Sequence, residues 1–160
     1  MESILEVSKV SKHFGGFTAL SGVDLRVAQG ERLGLIGPNG SGKTTLINCI
    51  SGSLFNDEGE IAFKGQAISK LPAHRRTRLG IARSFQIPRP FTSMSMIENL
   101  MVPLSYVCGI TGEQAEQKAM EILSDMGLAA KARTATHQLS QVELRKMELA
   151  RAMAAQPTLL

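Results

Sequence analysis

Nine residues, Gly37 to Thr45, read GPNGSGKTT. They follow the pattern of a glycine, four residues, then Gly-Lys and a hydroxyl residue, which is the sequence form of a phosphate-binding loop. The residue types suit that chemistry. Glycines let the backbone wrap closely around an anion without a Cβ in the way. Free N–H groups at a helix start point at the anion, and the helix dipole favours negative charge there. Lys43 would bridge terminal phosphates. Thr44 would offer a hydroxyl oxygen to Mg2+, a hard ion that takes oxygen donors. Such a site needs a strand to deliver the loop and a helix to receive it. RLGLIG (Arg32 to Gly37) supplies the apolar run, and TTLINCIS, closed by Gly52, supplies the helical stretch. A chance glycine-rich turn containing Lys-Thr would lack that context.

The surrounding elements follow from periodicity. VDLRV (Val23 to Val27) alternates as a half-buried antiparallel strand does. Leu33, Leu35 and Ile36 form a short run suited to a strand covered on both faces. GEIAFKG sets Ile61 and Phe63 on one strand face between Gly59 and Gly65. The second half turns helical. Thr111 with Gln114 has the spacing of a capping box. Ala115, Ala119, Ile122, Leu123 and Met126 then share one helical face, with Gly127 as the stop. A polar linker covers about residues 131–138. Ser140 and Glu143 form a second capping-box pattern, and the helix behind them turns Met147, Ala150 and Ala154 inward and stops before Pro157. Thr158-Leu159-Leu160 reads as the start of a further buried strand, so a C-terminally incomplete chain is expected.

The chain has 160 residues, 43% apolar and 20% charged, which fits one globular domain and excludes a disordered polymer. Two cysteines are too few for a disulfide scaffold. No apolar stretch reaches the roughly 20 residues of a membrane span, and the N-terminus lacks the pattern of a secretory signal. A cytosolic setting is expected. The net charge of +4 is uneven: residues 1–90 carry 12 Lys and Arg against 7 Asp and Glu, and residues 91–160 carry 6 against 7. Arg75, Arg76, Arg78, Arg83 and Arg89 supply much of the difference. A solvated surface is the simple reading. With no Trp and one Tyr, stacking support for a nucleic-acid surface is thin, and no nucleic-acid partner is expected.

Three longer segments resemble the ABC-type ATP-binding cassettes. They are VSKHFGGFTALSGVDLRVAQGERLGLIGPNGSGKTTLINCISG, then IARSFQ, ending at Gln86, and LSQVELRKMELARAMAAQPTLL from Leu139. Within that family, SKHFGG, LINCISG and ARSFQIPRPFTSMSMIENL resemble the cassettes of branched-chain amino acid importers. The resemblance implies an α/β P-loop (RecA-like) ABC nucleotide-binding domain with an antiparallel β subdomain and a helical subdomain. The core and β subdomain would cover about 1–86, the helical subdomain about 87–140 and the signature helix about 140–155. It implies ATP held by Phe14, stacked on adenine, and by Gly37, Pro38, Asn39, Gly40, Ser41, Gly42, Lys43, Thr44 and Thr45. Mg2+ would meet Thr44 and Gln86. Lys43, Gln86 and Ser140 would carry the catalytic roles, Ser140 against the γ-phosphate of an opposite subunit. The partners implied are a second cassette, identical or not, and membrane-spanning permease subunits reached through about Ile87 to Pro103. Met94, Met96, Ile97 and Met101 in that segment equally suit a core. The location implied is peripheral, on the cytoplasmic face of the cell membrane.

Two departures from the family pattern matter. The signature reads LSQVE, with Val142 where glycine is expected and Glu143 where glutamine is common. The Walker B aspartate, the following glutamate and the switch histidine would lie beyond Leu160, so these 160 residues alone are expected to be inactive in hydrolysis. Two other readings stand beside the transport ATPase. One is a soluble ABC-type ATPase acting on nucleic acid or the ribosome, supported by the arginines alone. The other is a non-hydrolysing nucleotide-binding module marked by Val142.

Overall fold

The computed structural model describes residues 3–160, which form two compact units dividing after Arg76. The first is built on an antiparallel sheet of β1 (Ser3–Phe14), β2 (Phe17–Ala28), β3 (Glu58–Phe63) and β4 (Gln66–Ala67), ordered β2-β1-β3-β4. β1 is not among the strands expected from sequence, although Leu5 and Val7 carry its alternation. In register, Leu5 faces Phe63 and Val7 faces Ile61, and all four are buried. Burying each such side chain stabilises the sheet by about 1.5–3 kcal/mol. The expected alternation in β2 and the shared face of Ile61 and Phe63 are both observed.

Helix α1 (Lys43–Ser51) buries Leu46 and Cys49 and ends at Gly52, at φ +79°. Helix α2 (Ala73–Leu79) carries Arg76, which is fully buried. Its guanidinium donates to the carbonyls of Leu71, Cys49, Ile50 and Ser69. Burial lowers its pKa below the ordinary arginine range. The expectation of a solvated arginine surface therefore fails at Arg76. Of the same group, Arg83 and Arg89 both lie over the Phe85 ring, at 4.8 and 5.7 Å.

RLGLIG does not form the expected covered strand. It lies in irregular backbone, with Ile36 99% exposed. A strand is stabilised by a ladder on its flank, and no described strand pairs with this run. The closest approach to a parallel ladder is elsewhere. Ile81, in the IARSFQ segment, makes a single parallel bridge to Leu159, and Ala82 N–H donates to the Leu159 carbonyl at 2.9 Å.

The second unit packs α3 (Met96–Tyr106), α4 (Gly112–Asp125) and α5 (Gln141–Ala154) around one core. Met96, Ile97, Leu100 and Leu104 meet Ala115, Ala119 and Leu123, with Met147, Ala150 and Ala154 from α5. Met96 and Ile97 are thus core, whereas Met94 and Met101 are half-buried. Two short 3-10 turns, Ala129–Lys131 and Thr136–Gln138, shape the polar linker. The capping box at Ser140 and Glu143 forms. The one expected at Thr111 does not, since the Thr111 side chain makes no cap bond. Gly112, at φ +61°, departs from helical geometry at the first position. A second box, unforeseen, forms at the start of α3: the Glu98 carboxylate takes the Ser95 N–H and hydroxyl, both at 2.7 Å.

Candidate functional site

The loop Gly37–Thr45 lies in the first unit and opens α1. Gly40 and Gly42 sit at φ +85° and +86°, a left-handed backbone that favours glycine. Gly42 is also pressed against β2, where an added Cβ would come within 2.6 Å of the Ala19 carbonyl oxygen. An added Cβ on Gly37 would come within 2.8 Å of Ser41 Oγ. No side chain caps the start of α1, and its first turn holds no acidic residue. Its first N–H groups therefore keep their capacity for an external anion.

Lys43 turns back over the loop. Its Nζ donates to the Gly37 and Pro38 carbonyls, each at 2.7 Å, and to Ser41 Oγ at 3.2 Å. The ammonium is thereby held inside the curve of the loop, where phosphate oxygens would compete for it. Thr44 is exposed beside it. Among the described residues, no group of three or more His, Cys, Asp or Glu could hold a metal by itself. One hydroxyl plus nucleotide phosphates is a donor set Mg2+ accepts, so the residues present fit a nucleotide with its cation.

Phe14 ends β1 and pairs with Phe17 across the Gly15-Gly16 turn. Their rings are 47% and 61% exposed, so ordinary core packing does not account for Phe14. The Lys12 ammonium lies 5.5 Å from the Phe14 ring and 2.7 Å from Asp57. Phe17 lies inside the first family-like segment, but no role for it follows from sequence. Only its strand partner marks it.

Gln86 and Ser140 belong to the second unit. Gln86 is exposed in an irregular segment. Ser140 caps α5: its Oγ accepts the Glu143 N–H at 3.3 Å, and its own N–H donates to Glu143 Oε2 at 2.8 Å. Lys131 stands 2.6 Å from Glu143 Oε1. The Lys131 ammonium, with the Ser140 N–H and hydroxyl, lowers the Glu143 pKa to about 2. The Glu143 carboxylate is thus turned back and neutralised instead of facing out from the helix start. Val142, 64% exposed, is presented by the first turn together with Gln141. Lys131 escaped sequence reading because its partner lies twelve residues on, across a turn with no motif.

The family described as ABC transporter matches residues 20–160. The chain is 39% identical to the probable branched-chain amino acid transport ATP-binding protein LivG of Archaeoglobus fulgidus, over 98% of this chain and 65% of that protein. It is 35% identical to the high-affinity branched-chain amino acid transport ATP-binding protein BraF of Pseudomonas aeruginosa, over 98% and 67%. It is 36% identical to the lipopolysaccharide export system ATP-binding protein LptB of Haemophilus influenzae, over 97% and 64%. The chain therefore spans about two-thirds of the length of these curated relatives. Among solved structures, an ATP-binding cassette of an ABC transporter in its ADP conformation superposes with a TM-score of 0.86 at 33% identity, over 98% of this chain and 66% of that one.

Proposed function

The chain belongs to the ABC transporter family of ATP-binding cassettes, and from that premise we propose that it is the ATPase subunit powering an importer of branched-chain or related amino acids. It would work as one of two cassettes beneath membrane-spanning permease subunits, peripheral to the cytoplasmic face of the membrane. The observation that carries the nucleotide part is the Lys43 ammonium, held by Gly37, Pro38 and Ser41 at the uncapped start of α1. The amino-acid part is supported by the names of LivG and BraF. Export relatives at similar identity keep that part a matter for experiment.

In this reading Lys43 and the first N–H groups of α1 bind the β- and γ-phosphates. Phe14 stacks on the adenine. Thr44 and Gln86 would hold Mg2+, which when bound would supply positive charge to offset the charge of the phosphates. Gln86 also orients water. Ser140 brings the start of α5 to the nucleotide of the opposite cassette. The 160 residues by themselves would bind ATP without useful turnover. Support for the permease face comes from a groove of about 270 Å3 lined by Met94, Met101 and Val102 of the segment Ile87 to Pro103 and by Tyr106. Tyr106 is 76% exposed there. No described helix is long and apolar enough to cross a membrane.

The test is uptake. The full-length protein is reconstituted with its permease in vesicles, and ATP-dependent uptake of labelled leucine, methionine and a lipid substrate is compared. Leucine uptake abolished by Lys43→Ala is expected. Turnover without leucine uptake would reject the amino-acid assignment, and tight ATP binding without turnover would favour the regulatory-module reading.

A further inference from the structure

Glu148 is charged, only 2% exposed, and has no part in the nucleotide roles above. It lies on α5, one turn before Arg151. Arg151 Nη2 donates to both of its carboxylate oxygens at 2.9 Å. The pair does not close on itself. Glu148 Oε2 accepts the Arg89 N–H at 3.3 Å, and Arg151 Nη1 donates to the Arg89 carbonyl at 2.6 Å. Both backbone groups of one loop residue are therefore gripped by the two members of one ion pair. The Arg151 guanidinium also lies 5.5 Å from the Phe91 ring. From the other side, fully buried Asn99 on α3 accepts the Phe91 N–H at 2.8 Å and donates to the Phe91 carbonyl at 3.1 Å.

Connecting segments are ordinarily the mobile parts of a fold. This one, residues 87–92, has no regular structure, yet two helices hold its backbone. Stability alone is a poor reason for a buried ion pair, since apolar residues of similar volume often serve as well. What the pair adds is direction. The planar arginine fork fixes where Arg89 stands relative to α5.

We propose that Glu148 and Arg151 are positioning residues that lock the 87–92 loop to α5. A displacement of that loop is then delivered along the helix to Ser140, about 12 Å away at 1.5 Å per residue. The proposal rests on the transporter reading for what moves the loop, namely a membrane partner. It does not rest on that reading for the lock itself.

The experiment uses the full-length protein with Glu148→Gln, Arg151→Met and Arg151→Lys. Amide exchange is measured first. Glu148→Gln and Arg151→Met should speed exchange at Arg89 and Phe91, and in the Val142–Leu144 turn, at least tenfold. Leu46 to Cys49 should stay unchanged, and Arg151→Lys should fall between. Permease-stimulated ATP turnover is measured second. It should drop at least fivefold in Glu148→Gln, with ATP affinity of the free subunit within twofold of wild type. Unchanged exchange, or exchange raised equally in α1, overturns the proposal, the latter by showing a general loss of stability. A loosened loop with full stimulation also overturns it. Should the wild-type protein respond to no permease, the transporter reading fails. The lock is then decided by whether the Val142–Leu144 turn loosens with the loop.

Discussion

In the proposed nucleotide site, single residues divide into those that would touch phosphate and those that would limit its approach. Lys43 is of the first kind. Hydrogen bonds to charged groups are worth roughly 1.5–3 kcal/mol. Lys43→Ala should therefore weaken Mg·ATP binding by about tenfold or more, measured by calorimetry. Val142 is of the second kind. Glycine at that place would let the α5 start come close to a γ-phosphate. Valine brings two methyl groups and a stiff χ1. Since Lys131 already neutralises Glu143, valine is the larger obstacle. A full-length dimer carrying Val142→Gly should show faster turnover and stronger ATP-induced dimerisation. Equal firing of both wild-type sites, with no gain in the variant, would show that the interface accommodates valine.

Elements depend on how their ends are held. The start of α5 is held by a carboxylate whose pKa falls from the ordinary 4.5 to about 2. A depressed carboxylate stabilises the fold above its unfolded pKa and loses that contribution as pH falls through the folded one. The cap should therefore act fully above about pH 4.5 and fade between there and about pH 2. Melting temperatures of wild type and Glu143→Gln, measured across that window, should differ at neutral pH and converge in acid. A constant gap would contradict the cap. The end of α1 is held differently. The Arg76 guanidinium donates to the carbonyls of Cys49 and Ile50 in its last turns. A cation suits the C-terminal end of a helix. Removing it strands buried acceptors, each costing about 1–3 kcal/mol. Arg76→Met should thus cost about 3 kcal/mol or more in a denaturant titration, and a loss under 1 kcal/mol would show the carbonyls to be satisfied by other means.

The molecule as a whole consists of two compact units, and the phosphate loop belongs to the first. ATP binding at 100 times its Kd stabilises a protein by about 2.7 kcal/mol. In the full-length protein without a partner cassette, ATP should slow amide exchange mainly within residues 37–51 and leave the α3–α4–α5 core unaffected. Exchange mass spectrometry with and without ATP checks this, and Lys43→Ala should remove the effect. Protection centred on α5 instead would place the principal contact in the second unit.

Much of this was legible in local sequence. The phosphate loop, α1 with its glycine stop, the apolar face of α4 and the Ser140–Glu143 cap all rest on interactions spanning a few residues, which spacing alone encodes. Tertiary structure decided what spacing cannot carry. Arg76 reads as one of a run of surface charges until Cys49, 27 residues earlier, supplies its carbonyl. Glu148 belongs to no sequence motif, and Arg89, 59 residues earlier, meets it only in the folded chain. RLGLIG reads as a buried strand, but a strand needs a flanking ladder as well as apolar side chains, and no described strand provides one. Hydrogen-bond partners for buried charges and strand edges come from distant segments, and only the folded chain selects them.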